Sequence, residues 1–346
     1  MRALVTGGAG FIGSHLAERV LMQGHQVVAL DDMSTGDADN LAHLNDHLGF
    51  ELVKGSILDA ALVDDLVEAS DVAFHLAAAV GVHLILNRSL DGLRTNVHGT
   101  ENVLQSAARH GTRTVLASTS EVYGKSTAPI LCEDQDRILG SPLVKRWSYA
   151  EAKALDETLA FLLFSEHGAP IVIARLFNVT GPRQTGRYGM VMPRFVDLAM
   201  RGRPLTVYGD GSQTRSFCHV YDAADGLIAL AEQPDAYGGV FNIGRPEEVS
   251  IRELAERVIR LTGSASTIRY VAYAQAYGDG FEDTMRRVPD ISRARELIGF
   301  DPALCLDDII LSIVDEFRLS AWARSGGGAA RPARPRAARS GGGRVR

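Results

Sequence analysis

Apolar residues fall in short unbroken runs through the first half of the chain. Arg2-Ala3-Leu4-Val5-Thr6 is the first run, and Gln26-Val27-Val28-Ala29-Leu30 the second. Val72-Ala73-Phe74-His75-Leu76, Thr114–Ser118 and Ile171–Arg175 repeat the pattern. A continuous apolar run of this length marks a strand covered on both faces, as in a parallel sheet. Stretches of helical character lie between the runs, from about Phe11 to Gln23, Leu90 to His110 and Tyr149 to His167. Alternating strand and helix predicts an α/β fold, a doubly wound parallel sheet of the Rossmann type over residues 1–180.

After Pro182 the alternation weakens and Gly and Pro become frequent. Helices are expected at about Pro193–Arg201, Tyr221–Glu232 and Ser250–Thr262. Residues 181–320 are therefore read as a smaller, irregular C-terminal lobe. Gly238-Gly239-Val240-Phe241-Asn242-Ile243-Gly244 is the candidate for a strand returning to the first sheet. Residues 321–346 form a basic tail, which from Ser325 contains only Gly, Ala, Pro, Ser, Arg and one Val. That composition buries too little apolar surface to offset its ordering entropy, so disorder is expected. No internal repeat is visible.

Composition narrows the class. The chain has 346 residues, 46% of them hydrophobic, which suits a globular enzyme with a full core. No apolar run approaches the roughly 20 residues that span a bilayer. Met1 leads straight into a strand, with no signal region, and three scattered cysteines give no disulfide framework. A cytoplasmic location is the expectation. The formal net charge is -6, and the tail's six arginines leave -12 for the rest, which offers nucleic acid no electrostatic footing. No metal is expected at the site.

Gly7-Gly8-Ala9-Gly10-Phe11-Ile12-Gly13 follows a strand and opens a helix. Its glycines permit a tight turn, a close approach to a pyrophosphate and close helix–strand packing. The phosphates then lie on the helix N-terminus, where free N–H groups favour anions. Gly7, Gly10, Phe11, Ile12 and Gly13 are therefore cofactor candidates. Asp31 ends the next strand, where a carboxylate binds ribose hydroxyls and repels a 2′-phosphate. With Asp32 beside it and no arginine nearby, NAD is expected over NADP.

Tyr149 and Lys153 stand four residues apart, on one helix face. A neighbouring ammonium is expected to lower the tyrosine's pKa towards neutrality. Thr119 or Ser120 is placed to hydrogen-bond the same substrate oxygen. Glu151, between the pair, reads as a solvated surface acid.

The motifs GGAGFIGSH, LDD, HLAA, STSEVYG, YAEAK and GDGSQTRSF occur in order over about residues 1–320. Together they resemble the extended short-chain dehydrogenase/reductases that act on nucleotide sugars. The resemblance implies an NAD lobe, a nucleotide-sugar lobe, a UDP-sugar substrate and a homodimer. It adds Leu76, Ala77 and Ala78 to the cofactor site, with Ser56 and Ile57 by the adenine, where Ser56 replaces the family's usual aspartate. It assigns Asn178, Arg183, Tyr208 and Arg215 to the substrate. Within the family, Thr119-Ser120-Glu121 and Lys145-Arg146-Trp147-Ser148-Tyr149 are similar to the UDP-glucuronate decarboxylases. So are Ala276–Asp283 and the following Arg286-Arg287-Val288-Pro289-Asp290. That similarity implies catalytic roles for Thr119, Glu121, Tyr149, Lys153 and Arg287, and conversion of UDP-glucuronate to UDP-xylose. A 4-epimerase or a 4,6-dehydratase is the alternative within the family, and a non-catalytic NAD-binding scaffold the alternative outside it. Arg287 pairing with Asp283 or Asp290 at the surface, and Glu121 merely holding its loop, are the alternatives at those residues.

Overall fold

The structure is a computed structural model that describes residues 1–80, 89–186, 190–277 and 284–324. Its centre is a seven-stranded sheet. In chain order the strands are β1 (Arg2–Thr6), β2 (Gln26–Asp31), β3 (Phe50–Lys54), β4 (Val72–His75), β5 (Arg113–Thr119), β6 (Ile171–Leu176) and β7 (Val240–Ile243). Their spatial order is β7-β6-β5-β4-β1-β2-β3, and every pairing is parallel. Inner strands such as β4 are buried along their whole length, which is why they read as unbroken apolar runs. β3 is an edge strand with Glu51 and Lys54 exposed, so it carries no such run and escapes a reading based on one.

Helices α1 (Phe11–Met22), α2 (Ala60–Glu68), α3 (Ser89–His110) and α4 (Ser148–His167) cover the sheet. A second core lies beyond it, among α5 (Val191–Met200), α7 (Ile251–Thr262) and α8 (Leu306–Arg324). Phe195, Leu254, Ile309 and Val314 are fully buried there. Between them in sequence, α6 (Val220–Glu232) packs on α1, β5 and β6 and leads into β7. The chain therefore does return to the first sheet at the place the apolar run around Phe241 indicates. α8 continues to Arg324, so helix occupies the first positions of the segment expected to be tail. The rest of that tail, 325–346, lies outside the described residues.

The strand order reverses between β1 and β4, with β2 on one side and β5 on the other. Thr6 and His75 are register partners at the carboxyl ends of those two strands. Ligands of open α/β sheets bind in the crevice at such a switch point.

Candidate active site

The glycine loop and the Leu76–Ala78 segment meet in that crevice. Gly7 has a φ of +69°, and a Cβ there would stand 2.8 Å from the Ala77 nitrogen. A Cβ on Gly13 would collide with the Gly7 carbonyl. Only glycine lets the loop fold this tightly onto the N-terminus of α1. Gly7, Gly10, Phe11, Ile12 and Gly13 all line a cavity of about 480 Å³, as do Leu76 and Ala78. A glycine cradle facing a helix N-terminus fits the diphosphate of NAD.

Asp31 is buried and braces this loop. Ala9 N–H donates to Oδ2 and Met33 N–H to Oδ1, both at 2.9 Å. Burial raises its carboxyl pKa, and the two backbone bonds oppose that shift. Gly10 N–H adds to these bonds, and Asp31 itself stands outside the cavity lining. Thr35 lines the cavity instead, a position that no sequence motif singles out. Ser56 and Ile57 are placed outside the cavity lining. Ser56 Oγ accepts from Leu58 N–H at 3.2 Å, and the Ile57 carbonyl accepts from Asn102 Nδ2 at 3.0 Å. Ala77 backs the loop and donates its N–H to Thr6 Oγ1 at 3.2 Å.

Thr119, Glu121, Tyr149, Lys153 and Arg287 converge on the same cavity. Thr119 ends β5 and hydrogen-bonds Tyr149. Tyr149 and Lys153 lie on α4, but the charge balance differs from the sequence expectation. Lys153 Nζ is 3.3 Å from Asp156 Oδ2, both side chains being 2% exposed. Burial, followed by the charges of Glu121 and Asp156, raises the Tyr149 pKa well above the ordinary phenol value, and the bond to Thr119 opposes this only in part. The lowering expected from the lysine is not among the influences on the phenol, and Lys153 is paired with Asp156 instead.

Glu121 lies between two arginines. Arg287 Nη1 is 2.6 Å from Oε1, and Arg146 Nη1 is 2.7 Å from Oε2. Burial alone would raise the Glu121 carboxyl, but Arg287 and then Arg146 carry it far below the usual carboxylate range. Two guanidinium groups against one carboxylate leave a surplus of one positive charge. Arg146 was quoted only as part of the tyrosine loop, and its role has no signal within one sequence. Arg287 reaches inward because its segment is tied down. Leu131 N–H donates to the Val288 carbonyl at 2.8 Å, and Ser216 Oγ to the Arg287 carbonyl at 3.2 Å. Asp290 is engaged with Ser292 and Cys132 rather than with Arg287. Residues 278–283, including Asp283, lie outside the described residues.

Of the four substrate candidates, three line the cavity: Asn178, Tyr208 and Arg215. Asn178 takes a φ of +37°, and its Nδ2 donates to the Ser216 carbonyl at 2.8 Å. Arg194, not foreseen, donates to the Tyr208 hydroxyl at 2.8 Å and places its guanidinium 4.7 Å from that ring. Arg183 is the exception. Its φ of +66° turns it back onto α1, where Nη2 bonds Glu18 Oε2 at 2.8 Å and Nη1 bonds Ser14 Oγ at 3.4 Å. It stands outside the cavity lining, occupied by that helix.

Residues 3–244 match the profile of the NAD dependent epimerase/dehydratase family. The chain belongs to this family. Its members' cofactor is NAD, and the glycine cradle described above suits it. A UDP-N-acetyl-alpha-D-glucosaminuronate decarboxylase of Bacillus cytotoxicus is 41% identical over 92% of this chain and 98% of its own length. UDP-glucuronic acid decarboxylase 3 of Arabidopsis thaliana is 38% identical over 92% of this chain and 90% of its own. Among solved structures, the UDP-glucuronic acid 4-epimerase of Bacillus cereus, in complex with UDP-glucuronic acid and NAD, superposes with a TM-score of 0.83. It is 28% identical, covering 92% of this chain and all of that one. Among the described residues no helix is long and apolar enough to cross a membrane.

Proposed function

We propose that the protein is an NAD-dependent decarboxylase of a UDP-hexuronate, converting UDP-glucuronate to UDP-xylose through a 4-keto sugar. The observation that carries this reading is the Arg146–Glu121–Arg287 cluster beside Tyr149. A 4-epimerase of UDP-glucuronate also holds the C6 carboxylate, but its chemistry stays at C4. A decarboxylase must in addition stabilise a developing enolate, and the surplus positive charge of this cluster serves that charge.

When bound, NAD would supply the hydride acceptor for C4 and a positive charge that favours the Tyr149 phenolate. The Tyr149 phenolate takes the C4 hydroxyl proton, with Thr119 holding the same oxygen. The 4-ketone is then β to the C6 carboxylate. As the C5–C6 bond breaks and CO₂ leaves, its electron pair moves onto the C4 oxygen. Arg287 and Arg146 steer the carboxylate and stabilise that oxygen's charge. Glu121, held ionised by its two arginines, is an acceptor only, so it orients a water that relays a solvent proton to C5. Tyr149 returns its proton to the C4 oxygen, and the cycle closes with no net redox change. Arg215, Asn178 and Tyr208 bind the nucleotide diphosphate end.

The 41% identical relative acts, by its name, on the 2-acetamido counterpart of this substrate, which makes that sugar the second reading. Protein incubated with NAD and each of UDP-glucuronate, UDP-N-acetylglucosaminuronate and UDP-glucose separates them. Labelled CO₂ and NMR of the products are read. CO₂ and UDP-xylose from the first support the proposal. CO₂ from the second alone moves it to the acetamido sugar. Inversion at C4 without CO₂ makes the protein an epimerase, and a 4-keto-6-deoxy product a dehydratase.

The homodimer belongs to the same proposal. Leu93 on α3 and Leu155 and Leu162 on α4 are exposed. Val103 and Leu104, also on α3, are fully buried in the molecule's own core and take no part. Cys132, Cys218 and Cys305 are all free thiols, which suits a reducing cytoplasm.

A further inference from the structure

A line of buried side chains runs from Lys153 to the strand that carries the glycine loop. Lys153 Nζ lies 3.3 Å from Asp156 Oδ2, and Thr100 Oγ1 donates to the same oxygen at 3.2 Å. Thr100 Oγ1 is 3.0 Å from His75 Nε2, and His75 Nδ1 is 2.8 Å from Thr6 Oγ1. Thr6 is the residue before Gly7, and its Oγ1 accepts the Ala77 N–H at 3.2 Å. Thr6, His75 and Thr100 are completely buried.

The direction of each bond follows from chemistry. Thr100 Oγ1 donates to Asp156, so it accepts from His75 Nε2–H, and the Nδ1 of a neutral ring then accepts from Thr6 Oγ1. This set of bonds takes a neutral histidine and an ionised aspartate. Burial, with the Lys153 charge nearby, holds His75 down at about 3, in agreement with the first condition. Burial raises the Asp156 carboxyl, and Lys153 and Thr100 oppose that shift. The other acids near the tyrosine and the lysine are committed elsewhere. Glu121 pairs with Arg146 and Arg287, and Glu157 accepts from Arg175 Nε at 2.9 Å and Nη2 at 2.8 Å.

We propose that Asp156 is a positioning residue whose carboxylate, oriented through Thr100 and His75 from the end of β1, fixes the Lys153 ammonium and balances its charge so that a cationic nicotinamide ring can seat beside it. This rests on the reading that the nicotinamide end of NAD lies against Tyr149 and Lys153. A lysine alone would repel an oxidised, positively charged ring more than a reduced, neutral one. With Asp156 present, that discrimination is suppressed.

The test compares the affinities of oxidised and reduced NAD, by isothermal titration of protein stripped of cofactor and without any sugar substrate. Asp156→Asn keeps the shape and removes the charge. It should weaken the oxidised form about tenfold relative to the reduced form, the order expected for one charge a few ångströms away. Asp156→Glu should restore the ratio. Thr100→Val leaves the carboxylate but removes its donor, and should shift the ratio in the same direction by less. It also carries the test if Asp156→Asn does not fold. A merely structural role weakens both forms alike, and an unchanged ratio in Asp156→Asn, or failing that in Thr100→Val, overturns the proposal. Lys153→Met separates the two possible failures. If it moves neither affinity, the nicotinamide lies elsewhere and the reading of the site falls with the proposal. If it alters binding while the aspartate variant leaves the ratio unchanged, only the role of Asp156 falls.

Discussion

Arg287 Nη1 sits 2.6 Å from Glu121 Oε1, a contact between residues 166 positions apart in the chain. One residue follows a strand of the nucleotide sheet. The other lies in a late segment pinned to Leu131 and Ser216. Both line the cavity that Tyr149 also lines, and in the proposed function they act at the sugar's C6 while Tyr149 acts at C4. The two ends of the cavity can therefore be tested separately.

Tyr149→Phe should abolish C4 oxidation and every later step. Arg287→Ala should instead spare most of the initial oxidation and cut CO₂ release on the order of a hundredfold or more, since one such contact contributes ~3 kcal/mol to a developing oxyanion. Glu121→Gln should also impair CO₂ release more than oxidation. Single-turnover absorbance of the reduced nicotinamide, run beside labelled CO₂ release, measures the two steps in one sample. Equal losses in both steps for Arg287→Ala would show that it only shapes the pocket.

The two guanidinium groups also set a pH dependence. Glu121 has a depressed pKa in the folded protein. Its ionised form is therefore retained as pH falls through the ordinary carboxylate range, while the stability it contributes, full above the unfolded carboxyl's pKa, is lost progressively from there down through the depressed folded value. In Arg146→Gln one guanidinium is gone, and burial, which raises the pKa, carries more weight. CO₂ release by this variant should acquire an acid limb, falling as pH is lowered from neutral through the carboxylate range. The wild-type profile should show no limb from Glu121 there. Matching profiles for the two proteins would remove Arg146 from the electrostatics of the site.

How much of this was legible in the sequence depends on distance along the chain. The glycine loop and Tyr149/Lys153 are local patterns, fixed by one turn and one helix, and they are found where the spacing puts them. The Arg146–Glu121–Arg287 cluster is assembled from three segments, so only a resemblance could suggest two of its members and nothing supplied Arg146. The high pKa of Tyr149 has a related origin, since burial and the charge of Glu121, from another segment, come before that of Asp156. Asp156 lies one turn beyond Lys153 on the same helix, but its effect depends on burial and on Thr100 across the helix pair. Val103 on α3 and Leu155 on α4 are alike as apolar helix positions, but the first packs against the sheet and the second is exposed.

Asp31 gives a prediction with two readouts. Its carboxylate, beside Asp32, should disfavour the 2′-phosphate of NADP, so purified protein should bind NAD with little response to NADP. Asp31→Asn should narrow that preference. It should also destabilise the fold by about 1–2 kcal/mol, because an amide cannot accept both the Ala9 and Met33 N–H groups as two carboxylate oxygens do. Cofactor titration and thermal unfolding read the two effects. A wild type that binds NADP as tightly as NAD would sink the selectivity argument, whatever the unfolding shows.

The last prediction concerns assembly. α4 turns Lys153 and Asp156 inward, while Leu155 and Leu162, seven residues apart on its outer side, are 54% and 44% exposed. Leu93 on the adjoining α3 is 38% exposed. An apolar stripe across two packed helices would be covered by its own copy in a symmetric dimer, which buries the same patch twice. Leu155→Glu with Leu162→Glu places two like charges on each face and brings them together across the two-fold axis. The expected result is a dimer for the wild type and a monomer for the double variant, by light scattering at micromolar concentration. Since both side chains point away from the cavity, the monomer should still bind NAD. A monomeric wild type would refute the assembly outright, and a double variant that remains dimeric would move the interface to another face.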